Sequence, residues 1–245
     1  MSVAIVTGAA KGIGRACAEV FARAGWSVVM VDREKAELSA AAAGLGAAVA
    51  TLAGDVSERA TNDRAVATAL ERFGRLDAAV GNAGITLPKL IDATTADEFD
   101  RLFAVNVKAL MFLAQAAHAA LAKSRGSLTV MASKTGLVAQ RDSPIYVATK
   151  GAAVQLARAL ALDWAPEGIR VNAVCPGIVD TPMLKQFIDA MPDPAQSRRE
   201  HESAQPLGRL ATPAECAEAV LFLSSAAASF ITGVALPVDG GFTAQ

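Results

Sequence analysis

The chain has 245 residues, a length that fits one α/β domain with a large buried core. Its 23 Lys and Arg and 24 Asp and Glu give a net charge of −1, and the dispersed basic residues argue against a nucleic-acid-binding face. Three widely spaced cysteines and two histidines predict neither disulfides nor a metal site, and no apolar run reaches the ~18 residues of a membrane span.

Short apolar strands alternate with helical stretches along the chain. The N-terminus enters the first strand almost at once, without a basic leader or a cleavage site, so we expect a cytoplasmic protein. Strands are predicted at about residues 3–7, 27–32, 47–55, 76–84, 127–133 and 169–177, with a seventh near the C-terminus. Helices are predicted up to about residue 25 and at residues 34–44, 58–73, 97–122 and 145–164. This alternation predicts a doubly wound, Rossmann-type parallel sheet of about seven strands in one domain, residues 1–245, with helices on both faces.

A glycine-rich turn, TGAAKGIG, follows the first strand and opens the first helix. Glycines permit a tight turn and let the backbone approach a pyrophosphate, and the helix N-terminus adds partial positive charge. The alternative is an ordinary tight turn between a strand and a helix. The position of the turn favours a dinucleotide site, whose candidate residues here are Gly8, Lys11, Gly12, Ile13 and Gly14.

Asp32 ends the second strand, 18 positions after Gly14. A carboxylate there can accept hydrogen bonds from an adenosine ribose and would repel a 2′-phosphate, which favours NAD over NADP. Arg33 and Lys11 lie close enough in sequence to soften that repulsion, and a plain helix-capping role is the alternative for Asp32. We expect NAD, with NADP less favoured.

The only tyrosine in the chain, Tyr146, lies in the stretch SPIYVATK and is followed four residues later by Lys150. Residues four apart on a helix share a face, so the two side chains can meet. Lowering a phenol pKa from about 10 to about 7 takes roughly 4 kcal/mol, which an ammonium about 4 Å away can supply if it outweighs burial. The pair therefore predicts a general base for an alcohol or a general acid for a ketone.

The chain resembles the short-chain dehydrogenase/reductase family over its whole length. The motifs that carry the resemblance are TGAAKGIG, Asp55-Val56, GNAG at residues 81–84, Asn106, Ser133, YVATK, CPG at residues 175–177 and VDGG at residues 238–241. The resemblance implies that Ser133 holds the substrate oxygen, Tyr146 exchanges the proton, Lys150 lowers the pKa of the tyrosine and binds the nicotinamide ribose, and Asn106 holds a water. It also implies a homotetramer.

The resemblance assigns further residues to the cofactor. Those expected near the adenosine are Asp55, Val56, Asn82, Ala83 and Gly84. Those expected near the nicotinamide are Pro176, Gly177, Val179 and Thr181, in addition to Tyr146 and Lys150.

Residues 183–207 interrupt the alternation with three prolines and a charged patch, SRREHE. Loops this long are commonly lids or binding loops, so we expect a mobile substrate lid. Candidate substrate contacts are Ser133, Gln140, Arg141, Tyr146, Met183 and Phe187. Gln140 and Arg141 suggest a small polar secondary alcohol, namely a sugar, a polyol or a hydroxy acid, because an arginine can pair with a carboxylate. A solvated or interfacial Arg141 is the alternative.

Two other functions are compatible with the fold. One is an NADPH-dependent 3-oxoacyl-(acyl-carrier-protein) reductase; Ser124 and Glu167 stand near the positions where docking arginines are expected, although Lys123 and Arg125 are adjacent. The other is a nucleotide-sensing module without catalysis, which would leave Asn106, Ser133, Tyr146 and Lys150 idle. The protein is expected to bind a small-molecule alcohol or ketone, and neither nucleic acid nor a membrane.

Overall fold

The structure is a computed structural model that describes residues 1–46 and 48–244. Seven parallel strands form one sheet in the order β3-β2-β1-β4-β5-β6-β7. The strands are β1 Val3–Thr7, β2 Ser27–Asp32, β3 Val49–Ala53, β4 Ala78–Gly81, β5 Ser127–Met131, β6 Arg170–Pro176 and β7 Ala235–Val238. The predicted doubly wound sheet is confirmed, and its order reverses between β1 and β4, where such sheets bind ligands.

Helices cover both faces of the sheet. They are α1 Gly12–Arg23, α2 Lys35–Ala42, α3 Arg59–Phe73, α4 Ala96–Phe103, α5 Ala109–Ser124, α6 Pro144–Trp164, α7 Pro182–Asp189, α8 Pro194–Ser203 and α9 Pro213–Ser224. Successive side chains of β1 point to opposite faces, so Val3 and Ile5 pack with α3, α5 and α6, whereas Ala4 and Val6 pack with α1, α2 and α9. All five residues of β1 are buried, which explains its continuous apolar sequence.

The prediction of a long loop at residues 183–207 was wrong. Two helices, α7 and α8, lie in this part of the chain. The side chain of Thr181 accepts a hydrogen bond from the N–H of Leu184 (3.3 Å) before α7, and that of Asp193 accepts one from Gln196 (2.9 Å) before α8. A proline follows each cap at the first helical position, where its missing N–H is harmless. Pro194, one of the three prolines of the predicted loop, is therefore a helix start.

Helix α9 was not predicted, although its start is encoded locally. Thr212 and Glu215 form a capping box, in which the N–H of Thr212 donates to Glu215 (2.7 Å) and the N–H of Glu215 donates to the Thr212 hydroxyl (3.3 Å). The helix packs against α1 and β5 and covers the sheet beside the cofactor turn.

One continuous helical stretch joins α4 and α5 through a π-helical segment, Ala104–Lys108. Its 29 residues are long and apolar enough, by length and composition alone, to cross a membrane (mean hydropathy 1.3 in the best window, 39% of it buried). A core helix meets the same criteria, and Leu110, Leu113 and Leu121 of this stretch are buried in the core beneath the sheet.

Candidate active site

The carboxyl ends of β1, β4, β5 and β6 bring the candidate residues to one edge of the sheet. The glycine turn follows β1, Asn82 follows β4, Ser133 follows β5 and Gly177 follows β6. Helix α6 crosses this edge and carries Tyr146 and Lys150. Residues that are up to 170 positions apart in the chain therefore surround one cleft.

The turn between β1 and α1 accepts only glycine at its critical positions. Gly8 and Gly12 have φ angles of 66° and 54°, in the left-handed region. A methyl group on Gly8 would lie 2.9 Å from the Cα of Ala83, and one on Gly14 would overlap the carbonyl oxygen of Gly8. The bare backbone at the start of α1 is the cradle that a pyrophosphate requires, so these residues fit a dinucleotide.

Asn82 holds this turn in place. Its Nδ2 donates to the carbonyl oxygens of Thr7 (2.9 Å) and Gly8 (3.2 Å). The Thr7 hydroxyl accepts from the N–H groups of Asn82 (3.0 Å) and Ala83 (3.1 Å). The side-chain amide expected to line the adenosine pocket thus joins the end of β4 to the glycine turn.

Asp32, which is expected to bind the adenosine ribose, is half-buried. Its carboxylate accepts hydrogen bonds from the N–H groups of Ala10 (3.0 Å) and Glu34 (3.1 Å) and keeps further acceptor capacity. The two neighbouring cations face carboxylates: Lys11 lies 3.3 Å from Glu37, and Arg33 lies 3.2 Å from Glu34.

Asp55 and Val56 follow β3 at the same end. Burial raises the pKa of Asp55, but hydrogen bonds from Ser57 and the charge of Arg33 outweigh it, so the pKa lies below its usual range. Val56 is buried, and its carbonyl accepts from Asn62 (2.8 Å). The pair forms an ordered wall beside Asp32.

The loop after β6, where the nicotinamide is expected, is fixed by a glutamine that the sequence patterns did not reveal. The N–H of Gly177 donates to Val238 (3.0 Å). Gln205 is 1% exposed; its side chain accepts from the N–H of Ile178 (2.8 Å) and donates to the carbonyls of Ile178 (3.2 Å) and Arg209 (2.7 Å). Its partner in the loop is 27 residues away, a separation that no local pattern reveals.

Three other residues of the loop after β6 are expected near the nicotinamide, namely Pro176, Val179 and Thr181. Pro176 ends β6, and Val179 forms an isolated parallel bridge with Ala211. A methyl group on Gly12 would lie 3.4 Å from the Cγ2 of Thr181, so Thr181 closes over the glycine turn. The loop and the turn thus form two sides of one cleft.

Ser133 and Tyr146 meet at the centre of the cleft. Ser133 is 8% exposed, and its Oγ accepts a hydrogen bond from the N–H of Thr135 (3.2 Å). Burial raises the pKa of Tyr146, and a hydrogen bond with Ser133 opposes this effect. The serine therefore sits where it can hold an oxygen that Tyr146 also reaches.

Lys150 lies beneath the tyrosine and points to the sheet. Its Nζ donates to the carbonyl of Met131 (2.9 Å) and lies 5.8 Å from the centre of the Tyr146 ring. Burial lowers the pKa of Lys150 to about 8. Burial therefore dominates the pKa of the phenol, and the Lys150 ammonium is directed at the Met131 carbonyl.

Asn106 sits in the π-helical segment, and π turns recur at functional sites. It exchanges two 2.9 Å hydrogen bonds with the backbone of Ile85 and donates to the hydroxyl of Thr149 (3.1 Å), which donates to the carbonyl of Tyr146 (2.8 Å). A methyl group on Gly84 would lie 3.4 Å from Asn106 Oδ1 and 3.6 Å from Lys150 Nζ. Gly84 thus lies between the two groups; the role of Thr149 was not predicted.

Four candidate substrate residues lie on two segments: Gln140 and Arg141 on the loop before α6, and Met183 and Phe187 on α7. Gln140 donates to the Ser143 hydroxyl (3.2 Å), and Arg141 is exposed. Met183 is 45% exposed on α7, and the Phe187 ring packs edge-on against His201 of α8, with centroids 5.6 Å apart. Within residues 1–46 and 48–244, no three His, Cys, Asp or Glu side chains are placed to hold a metal ion.

Comparison with known proteins supports the resemblance to the short-chain dehydrogenase/reductase family. A family described as "Enoyl-(Acyl carrier protein) reductase" matches residues 8–243. The chain is 39% identical to an L-fucose dehydrogenase of Mus musculus (98% of this chain, 87% of the relative) and 36% identical to a meso-2,3-butanediol dehydrogenase of Serratia marcescens (99% and 95%). A crystal structure of a 3-ketoacyl-(acyl-carrier-protein) reductase from Brucella melitensis complexed with NADH superposes with a TM-score of 0.92 at 37% identity, covering 99% of this chain and 98% of the other.

The chain therefore belongs to the short-chain dehydrogenase/reductase family, as its motifs indicated. It is an oxidoreductase that acts on CH–OH groups and uses a nicotinamide dinucleotide.

Proposed function

We propose that the protein is an NAD-dependent dehydrogenase that oxidises a small polar secondary alcohol to a ketone. The observation that carries this proposal is the convergence of Ser133, Tyr146 and Lys150 beside a glycine turn that fits a dinucleotide. Dehydrogenases of a sugar and of a diol among its relatives support the direction and the substrate class.

In the proposed reaction, the hydroxyl of Ser133 holds the substrate oxygen and the phenolate of Tyr146 accepts its proton. When bound, the nicotinamide accepts the hydride, and its oxidised ring adds a positive charge that lowers the pKa of the phenol. Lys150 and Asn106, on either side of Gly84, form the polar route by which the proton leaves Tyr146. Thr149 fixes Asn106 and the backbone of Tyr146.

Electrostatics at the adenosine end favours NAD. A 2′-phosphate would meet the carboxylates of Asp32, Glu34 and Glu37, and it would have to displace the latter two from Arg33 and Lys11. Three carboxylates against two cations leave the pocket negative, whereas ribose hydroxyls can donate to Asp32.

The runner-up is an NADPH-dependent 3-oxoacyl-(acyl-carrier-protein) reductase; the structural neighbour is a reductase of this kind by its name, but it is complexed with NADH. The expected docking positions count against it. Ser124 donates to the carbonyl of Leu76 (2.6 Å), and Glu167 lies 2.9 Å from His118, so neither offers a cation to an acidic carrier. A nucleotide-sensing module without catalysis is the remote alternative, in which the same residues would bind without turnover.

We also propose that α7 and α8 form the lid over the substrate, and that the protein is a cytoplasmic homotetramer. The lid is supported by the exposed Met183 on α7, the helix that follows Thr181 and the loop after β6. Assembly is supported by a partly apolar groove between α5 and α6, with Met111, Leu156 and Trp164 along it, and by the fully exposed Phe230.

Fluorescence titration with NADH and with NADPH tests the proposal first. We expect NADH to bind at least tenfold tighter, a difference of about 1.4 kcal/mol. Asp32→Ala should remove most of this preference, whereas Asp97→Ala, on the exposed first turn of α4, should leave it unchanged.

Turnover is then measured with NAD⁺ on L-fucose, 2,3-butanediol and 3-hydroxybutyrate, and with NADPH on acetoacetyl thioesters. Oxidation of at least one of these alcohols supports the proposal. A preference for NADPH with thioester reduction would favour the runner-up, and tight binding without turnover would favour the sensing module.

A further inference from the structure

A charged network joins helix α8 to the loop after β6, and no step of the proposed reaction uses it. Arg198 of α8 donates from its Nη2 to the carboxylate of Asp180 (3.1 Å) and from its Nε to that of Glu202 (2.9 Å). Asp180 lies between Val179 and Thr181, two residues that are expected to bind the nicotinamide. The guanidinium therefore links the proposed lid to the proposed cofactor loop.

Backbone contacts hold residues 178–180 of this loop. The N–H of Asp180 donates to the carbonyl of Ala211 (2.8 Å), and the N–H of Ala211 donates to the carbonyl of Ile178 (3.0 Å). The side chain of Gln205 binds both backbone groups of Ile178. Among residues 1–46 and 48–244, Arg198 is the one hydrogen-bond partner of the Asp180 carboxylate, so the ion pair adds a support that the backbone contacts do not supply.

A shift at Asp180 would reach the glycine turn through its neighbour Thr181. A methyl group on Gly12 would lie 3.4 Å from the Cγ2 of Thr181. The hydroxyl of Thr181 accepts a hydrogen bond from the N–H of Leu184 (3.3 Å) at the start of α7. The backbone at Asp180 therefore decides where both the side of the cleft and the first turn of α7 lie.

The size of the effect is limited by solvent. The side chains of Arg198 and Asp180 are 48% and 50% exposed, and an isolated exposed ion pair contributes little. This pair is not isolated, because Glu202 lies one helical turn after Arg198 and holds the guanidinium in place. A network of three charges between two elements predicts a change of a few fold rather than of orders of magnitude.

We infer that Arg198 is a positioning residue for the nicotinamide cofactor. By holding Asp180, it keeps residues 178–181 in the conformation that closes over the glycine turn. It acts through the loop and touches no reacting atom. The inference rests on the proposed role of this loop at the nicotinamide, and it adds that the conformation of α8 is coupled to the affinity for the cofactor.

The first test is hydrogen exchange of residues 178–184 in the protein without cofactor. The N–H groups of Ile178, Asp180 and Leu184 report on the loop. Arg198→Met and Asp180→Asn should each raise the exchange rate of this segment by roughly two- to fivefold. Arg23→Met is the control, since Arg23 forms a similarly exposed pair with Glu218 (3.5 Å) between α1 and α9 and should leave the segment unchanged. Unchanged exchange in both loop variants would overturn the inference.

The second test is the affinity for NADH in a fluorescence titration. Arg198→Met removes a positive charge and Asp180→Asn removes a negative one, so a field acting on the anionic dinucleotide would weaken binding in the first and strengthen it in the second. A positioning role predicts that both variants lose roughly two- to fivefold in affinity. The double variant should be no weaker than either single one, and Arg198→Lys should retain most of the affinity. Opposite shifts in the two single variants, or additive losses in the double variant, would contradict the positioning role.

Failure of the proposed function is distinguishable from failure of this inference. Hydrogen exchange needs no cofactor and no turnover, so it tests the network at Asp180 by itself. A wild type that binds no NADH, or that oxidises no alcohol, would count against the proposed function whatever the exchange rates are.

Discussion

Replacement of the buried lysine by methionine, Lys150→Met, should abolish turnover without destabilising the protein at neutral pH. Burial holds the pKa of Lys150 at about 8, against 10.5 for an ordinary lysine. The charged form therefore destabilises the folded state by about 3 kcal/mol below pH 8. Loss of the donor to the Met131 carbonyl costs about 1–3 kcal/mol, so the variant should match or exceed the wild-type free energy of unfolding at pH 7.

The pH dependence of the free energy of unfolding tests this prediction most directly. Since the unfolded lysine binds its proton more tightly than the folded one, wild-type stability should rise between about pH 8 and 10.5, and Lys150→Met should lack that part of the rise. Urea unfolding of both proteins at pH 7, 8, 9 and 10 measures the difference between their free energies of unfolding. From pH 7 to pH 10 this difference should shift by about 3 kcal/mol in favour of the wild type. Lys123→Met, at an exposed position of α5, is the control and should differ little from the wild type at any pH. A constant difference between wild type and Lys150→Met would refute the reasoning.

Three further predictions concern the cofactor cleft and its supports. Gln205→Leu removes the side-chain partner of the Ile178 N–H and of the Arg209 carbonyl, so urea unfolding should show a loss of about 2–4 kcal/mol in the free energy of unfolding, with weaker NADH binding in titration; an unchanged stability would contradict the role of Gln205 in fixing this loop. Gly14→Ala should abolish NADH binding by steric overlap in the turn, whereas Gly151→Ala, in open space on α6, should raise stability by up to about 1 kcal/mol. Hydrogen bonds, above all from Arg209, lower the pKa of Glu215 to about 2, so Glu215→Gln should melt at a lower temperature than wild type above pH 5. That gap should close as pH falls from 4.5 towards 2, and a gap that persists at pH 2 would count against the ion pair.

Local sequence patterns predicted the sheet and the glycine turn because both depend on short-range chemistry. The strand of residues 3–7 is buried on both faces, and Gly8 and Gly12 need left-handed backbone, so each leaves a local pattern. Helices α7 and α8 were missed because proline both breaks helices and begins them, and only the capping residue before it distinguishes the two roles.

The parts of the site that the sequence could not reveal depend on tertiary contacts. Gln205 is recognised only by its hydrogen bonds to a loop 27 residues away. The spacing of Tyr146 and Lys150 shows that they share a face of α6, but not how deeply the phenol is buried or that the ammonium faces the Met131 carbonyl. Depth beneath the surface, which periodicity does not measure, decides both effects.

The central claim is that Tyr146 exchanges the proton of an alcohol in a nicotinamide-dependent reaction. The most direct test is the steady-state turnover of Tyr146→Phe beside its NADH affinity. The account predicts a loss of roughly 10²- to 10⁴-fold in kcat, with the Kd for NADH within about threefold of wild type. A phenylalanine variant that keeps turnover within about tenfold of wild type would contradict it.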